Sequence, residues 1–177
     1  SREALEKALT GTTEWDFGKH IIPSLLNQMC VMRYTFQGYW EDIGTIRSFY
    51  EANLRLTQPD SPFSFYAADA PIYTRPRYLA PTRIVNTRIS DSLIADGCLL
   101  EEGEISNSIL GIRSLVRRGS SILRTIVMGR ESFRGQGGIG QDCSIEGAIL
   151  DLNAQIGDGV EIHGYPDRSD EDGEGYA

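Results

Sequence analysis

Between Gly38 and Asn53 the chain reads GYWEDIGTIRSFYEAN. Tyr39, Trp40, Glu41 and Asp42 set two aromatic rings and two carboxylates against a Gly-Thr turn, and an amphipathic helix pattern follows at once. Two readings stand: a helix entry with ordinary capping, or one wall of a site. Asp42 in the first reading is a charge placed near the positive end of a helix dipole. A second group is YTRPRY (73–78), with Arg75 and Arg77 in a proline-rich stretch. A guanidinium fork suits phosphate and carboxylate; the alternative is a surface arginine whose stem packs on Tyr73 or Tyr78. In DFGKHIIP (16–23), Asp16 could cap the helix that follows. Lys19 could reach a phosphate, although an exposed lysine is the simpler reading. Glu41 is read as solvated. Histidine chemistry has two candidates, His20 and His163. GQGGIG (135–140) follows no strand-to-helix context and is weak as a phosphate loop. Cys30, Cys98 and Cys143 are far apart and odd in number, which argues against a disulfide framework or a zinc site and fits a reducing cytosol.

The elements that would position these residues come in three textures. Up to Tyr66, helix and strand signals mix. Ile21, Ile22, Leu25, Leu26 and Met29 have helical spacing, and Pro23 suits a first turn. VMRYTFQG (31–38) alternates and reads as a strand. Ile46, Phe49, Tyr50 and Leu54 share a helical face behind Thr45 as cap. Residues 57–81 then hold five of the seven prolines, so this stretch reads as an extended connector. The charge balance of −8 argues against a nucleic-acid groove, and no apolar run reaches the length of a membrane span.

The third texture has a period of its own. Ile94, Leu100, Ile105, Leu110, Val116, Ile122 and Val127 are spaced by 6, 5, 5, 6, 6 and 5 residues; Ile139, Ile145, Leu150, Ile156 and Ile162 continue with 6, 5, 6 and 6. Neither the helical nor the strand period explains this. A triangular solenoid does: each side takes about six residues, one aliphatic points inward, and Gly, Asp or Asn turns the corner. The alternative, a β-sandwich, would break the spacing at its loops. GRESFRGQGG (129–138) is expected as an excursion from the stack. Truncation of an inward residue, such as Ile94→Ala, is expected to cost about 2–5 kcal/mol.

In this order, DFGKHIIP (16–23), GYWEDIGTIRSFYEANLRLTQP (38–59), APIYTRPRYLAPTR (70–83) and ILDLNAQIGDGVEI (149–162) resemble glucose-1-phosphate adenylyltransferase, or ADP-glucose pyrophosphorylase. The resemblance implies the α/β end of a Rossmann-like nucleotidyltransferase domain (1–66), a proline-rich linker (67–82) and a left-handed parallel β-helix of hexapeptide-repeat type (83–177). It implies formation of ADP-glucose and pyrophosphate from ATP and glucose 1-phosphate, with Mg²⁺ as cofactor, for glycogen or starch synthesis. Asp42 matches the family's catalytic, metal-binding aspartate. Trp40, Asp16 and Phe17 match positions at the glucose 1-phosphate site, where a carboxylate accepts from sugar hydroxyls and a ring shapes the wall. Trp40 and Phe17 read equally well as plain core aromatics. Arg77 matches an arginine of an allosteric anion pocket. A homo- or heterotetramer is implied, in the cytoplasm, or in the plastid if the source is a plant.

The chain also departs from the pattern. Many activator-regulated members read IIDKNARIG where this chain reads ILDLNAQIG, so Leu152 replaces a pocket lysine and Gln155 an arginine. Activation by a phosphorylated sugar acid is therefore in doubt. No phosphate-cradling glycine loop precedes Asp16, so the chain reads as a piece of a longer polypeptide, inactive by itself. Three other functions compete. A hexapeptide acyltransferase would use a histidine base, for which His163 in a turn is a poor candidate. A β-helix assembly module would carry no catalysis. A transferase making UDP- or GDP-sugars would differ in residues beyond this chain.

Overall fold

A computed structural model of the chain describes residues 1–10, 12–62, 64–132 and 137–164. It divides into two compact units, Ser1–Gly38 and Tyr39–Ala177.

In the first unit, Ser1 caps the helix Arg2–Leu9 by accepting from the Ala4 N–H at 3.3 Å. The helix expected over FGKHIIPSLLNQM is a π-helical turn, Phe17–Ile21, running into a short α-helix, Ile22–Leu25. Pro23 explains the wide turn. Its ring crowds the carbonyl one helical turn back and it has no N–H to return. The preceding N–H groups of Ile21 and Ile22 instead reach the carbonyls of Asp16 and Phe17, five residues back. Residues 31–38 form no ladder, and Met32, Tyr34 and Phe36 are exposed. A strand needs a neighbour for its N–H and C=O groups, and none among the described residues pairs with this segment.

The second unit opens with the turn that carries Asp42 and the helix Ile46–Arg55. Residues 61–82 contain no helix or strand among those described. The solenoid follows. Its first face stacks Arg83–Val85, Leu99–Glu101, Leu115–Val116, Gly138–Ile139 and Gln155–Ile156. The second stacks Arg88–Ser90, Glu104–Ser106, Ser121–Leu123, Ser144–Glu146 and Glu161–His163. The third stacks Leu93–Ile94, Ile109–Leu110, Ile126–Val127 and Ile149–Leu150. Every pairing is parallel. All twelve aliphatics of the sequence period lie in or against one core: nine are buried, and Ile94, Ile156 and Ile162 near the ends are partly so. On the first face Ile84, Leu100, Val116, Ile139 and Ile156 are in register, so successive coils are 16, 16, 23 and 17 residues apart. The long coil contains the expected excursion, of which residues 133–136 lie outside the described part.

The corners follow from backbone sterics. Between the second and third faces, Asp91, Asn107, Arg124 and Gly147 all have positive φ (43°, 47°, 45° and 66°). Asp, Asn and Gly accept this conformation readily; Arg124 does so at a cost. At the first three of these corners the next residue, Ser92, Ser108 or Thr125, carries a hydroxyl, and these hydroxyls link the coils; Ala148 follows the fourth. Ser92 Oγ accepts from the Ser108 N–H, and Ser108 Oγ accepts from the Thr125 N–H, each at 3.1 Å. Ser108 and Thr125 in turn donate to the carbonyls of Ser106 and Leu123. Buried corner amides are thereby satisfied without water. Cys98 and Cys143 are buried at other corners as part of the core, which accounts for two of the three cysteines.

The third face is apolar on its outside as well. Leu93, Ile109, Ile126 and Ile149 form an outward row in register beside the inward one. The helix Ile46–Arg55 lies against the Ile126–Val127 strand, and Ile126 is only 2% exposed. The apolar face of the helix therefore has its partner in the solenoid.

Candidate functional site

Asp42 stands at the surface, in the turn that starts the Ile46–Arg55 helix. Its Oδ1 accepts from the Gly44 N–H at 3.0 Å, an Asx turn. A Cβ on Gly44 would come within 3.2 Å of that oxygen, so glycine lets the carboxylate fold close over the turn. Thr45 then caps the helix: its Oγ1 accepts from the Ser48 N–H at 3.0 Å, and Ser48 Oγ accepts from the Thr45 N–H at 3.1 Å. This reciprocal pair satisfies two N–H groups that a helix start leaves unpaired. The Asp42 carboxylate is thus tied to the first turn of the helix by short covalent and hydrogen-bonded links.

Glu41 is half-buried and partnered, not solvated as its sequence context suggests. It accepts a hydrogen bond from the Tyr39 hydroxyl and lies 3.6 Å from Arg55 Nη1, at the far end of the same helix. The hydrogen bond to the carboxylate holds the Tyr39 proton and raises the phenol above its ordinary range. Trp40, between these clasped neighbours, is 75% exposed. Its ring is not a core aromatic of the second unit.

The other sequence-selected residues are placed as follows. Asp16 and Phe17 belong to the first unit; Trp40, Asp42 and Arg77 belong to the second. Asp16 Oδ1 accepts from the Lys19 N–H at 2.8 Å and caps the π-helical turn, while Phe17 is half-exposed. Lys19 is exposed, and His20 Nδ1 lies 3.0 Å from Glu14 Oε2. Arg77 is exposed, and Tyr73 and Tyr78 are more than nine-tenths exposed, so no arginine stem covers either ring. Leu152 is exposed in the turn after Ile149–Leu150, and Gln155 begins the next strand. His163, in the last described strand, is exposed, 3.8 Å from Glu146 Oε2.

No group of three His, Cys, Asp or Glu side chains among the described residues could hold a metal ion. Asp42 offers one accessible carboxylate. That donor set fits Mg²⁺, which takes one or two protein carboxylates and completes its shell with water and phosphate oxygens. A depression of about 390 Å³ on the solenoid is lined by Arg117, Gly138, Gly140, Gln155 and Asp158. It holds none of the catalytic candidates. Two of its glycines answer to packing: a Cβ on Gly138 or Gly140 would strike Leu115 or Gly157 of the adjacent coil.

Sequence reasoning missed the clasp of Glu41 by Tyr39 and Arg55, and the docking of the helix on the solenoid. The first had no signal beyond proximity. The second did: the doublets Leu93-Ile94, Ile109-Leu110, Ile126-Val127 and Ile149-Leu150 recur once per coil, and adjacent aliphatics in a strand mark a sheet apolar on both faces.

Two family models match the chain. Residues 2–59 match the nucleotidyl transferase family, and residues 77–177 match the GLGC left-handed parallel β-helix domain. A nucleotidyl transferase segment followed by such a β-helix is the make-up of an enzyme of sugar-nucleotide synthesis. The chain belongs to the GLGC left-handed β-helix family, in agreement with its resemblance to ADP-glucose pyrophosphorylase. The helix Ile46–Arg55 falls inside the transferase match and packs on the β-helix. No helix among the described residues is long and apolar enough to cross a membrane.

Proposed function

We propose that this chain is part of a glucose-1-phosphate adenylyltransferase, which joins ATP and glucose 1-phosphate into ADP-glucose and releases pyrophosphate. The observation that carries this reading is the succession, in one chain, of a nucleotidyl transferase segment and a GLGC-type β-helix. The surface carboxylate of Asp42 supports it. In the reaction, a phosphate oxygen of the sugar attacks the α-phosphorus of ATP, and the bond to the pyrophosphate oxygen breaks. Bound Mg²⁺ supplies neutralisation of the two anions and alignment of the attack. Asp42 is the ligand this chain contributes. Its turn, braced by the capping box, fixes where the carboxylate stands. Trp40 offers an exposed ring as a wall for the hexose. Asp16 keeps one carboxylate oxygen on its cap and offers the other to a sugar hydroxyl, beside Phe17. Arg77 serves an effector anion, and Leu152 removes a cation from that pocket. The working form is a homo- or heterotetramer in the cytoplasm, or in a plastid, feeding glycogen or starch synthesis.

The test uses the full-length polypeptide that contains these residues. Pyrophosphate release is measured with glucose 1-phosphate, Mg²⁺ and ATP, UTP or GTP in turn. ATP is the expected substrate. Asp42→Asn should lower kcat by about 10²-fold or more, since a metal's charge stabilisation is worth several kcal/mol. An Asn variant with full turnover and an unchanged Mg²⁺ requirement would sink the reading.

A further inference from the structure

The Ile46–Arg55 helix is joined to the solenoid by more than apolar contact. The Tyr50 hydroxyl donates to the backbone carbonyl of Arg124, and Gln58 Nε2 donates to Asn107 Oδ1 at 3.2 Å. Both acceptors sit on the corner between the second and third faces, on adjacent coils, and both residues have positive φ. The Arg124 corner is itself held. Its guanidinium pairs with Glu146 of the next coil. The amide of the following residue, Thr125, donates into the buried hydroxyl ladder. Burial raises the Tyr50 phenol, which therefore stays a donor through the neutral range. Asp42 stands in the turn just before the Thr45 cap of this helix, and Glu41 lies 3.6 Å from Arg55 in its last turn. The segment that presents the carboxylate is thus fixed to the helix at both ends, and the helix is fixed to the third and second coils.

We propose that Tyr50 is a positioning residue: its hydrogen bond to the Arg124 carbonyl lets the β-helix set the position of the Asp42 carboxylate. The proposal rests on the functional reading above for the role of Asp42. The link itself is a matter of geometry and can be tested apart from the reaction. It gives the β-helix a part in the metal-dependent step besides assembly.

Two measurements on the full-length protein decide it. In Tyr50→Phe, the Mg²⁺ concentration for half-activation should rise about three- to tenfold, the scale of one lost hydrogen bond. Amide exchange over residues 42–50 should speed up by a similar factor, with the solenoid strands unchanged. Arg88→Ala removes only an exposed ion pair with Glu104 elsewhere on the solenoid, so it should leave both readouts near those of the parent protein. A merely structural role would lower the melting temperature of Tyr50→Phe without moving the Mg²⁺ midpoint. The proposal is overturned if Tyr50→Phe leaves either readout unchanged, or if Arg88→Ala moves both as far. Should the parent protein form no nucleotide sugar at all, the functional reading fails, and the exchange measurement alone still decides whether Tyr50 holds the Asp42 turn.

Discussion

The solenoid and the 82 residues before it bury their apolar side chains in different ways. From Cys98 to Leu150 one continuous core runs through the coils, its aliphatics in register from one coil to the next. Before Arg83, the buried hydrophobics among the described residues are Ile21 and Ala52, while Trp15, Met32, Tyr34, Trp40, Tyr66, Tyr73 and Tyr78 are each at least 75% exposed. A stack satisfies itself, because every coil is the neighbour the next one needs. The earlier segments are held by caps and turns and, in the second unit, by the helix Ile46–Arg55 that packs on the stack. The contrast explains why Asp42, although in the less consolidated region, stands on a defined turn: it is next to that helix.

The largest expected effect lies in the middle of the core. Ile122→Ala should destabilise the solenoid by about 2–5 kcal/mol in chemical denaturation, through lost burial and a cavity. Ile94→Ala, which the period alone places in the same class, should cost clearly less, because Ile94 is only partly buried near the open end. Equal losses would mean the ends are as well packed as the middle. Ser108→Ala should cost about 1–3 kcal/mol by the same measurement, since the buried Thr125 N–H would lose its acceptor. A neutral result would remove the hydroxyl ladder from the account of the corners. In the other region, Thr45→Ala should weaken the helix by about 1 kcal/mol, read as faster amide exchange at residues 46–49 with the solenoid untouched. The smallest change is expected for Trp40→Ala, within about 0.5 kcal/mol of the parent in stability. A large loss there would show that this exposed ring is anchored after all.

How far the sequence could be read follows the same division. The inward aliphatics were legible because a solenoid imposes one local rule per side, and Ile84 and Ile89 extend it by the same five-residue step to a first coil. Thr45 as cap and the helix after it were legible for the same reason, since a cap is a short-range device. The strand reading of residues 31–38 failed because pairing depends on a neighbour that alternation cannot reveal. Asp16 shows what a motif leaves open: its type fitted both a cap and a sugar ligand, and the structure displays the cap. The placement of Asp42 was legible only as a residue in a turn. Its connection to Arg124 spans 82 positions along the chain and passes through a backbone carbonyl, which no side-chain pattern encodes.

One coil is 23 residues long where its neighbours on the first face take 16 or 17, yet Val116 and Ile139 still meet in register. The stack therefore counts sides and ignores the contour length of its corners. The register of Val116 with Ile139 thus holds although the chain between them is longer than in the neighbouring coils, and loop-closure entropy grows only by about 0.6 kcal/mol per doubling of loop length. A peptide epitope or a fluorescent reporter inserted into this coil is therefore expected to leave the alignment of Val116 with Ile139 as it is.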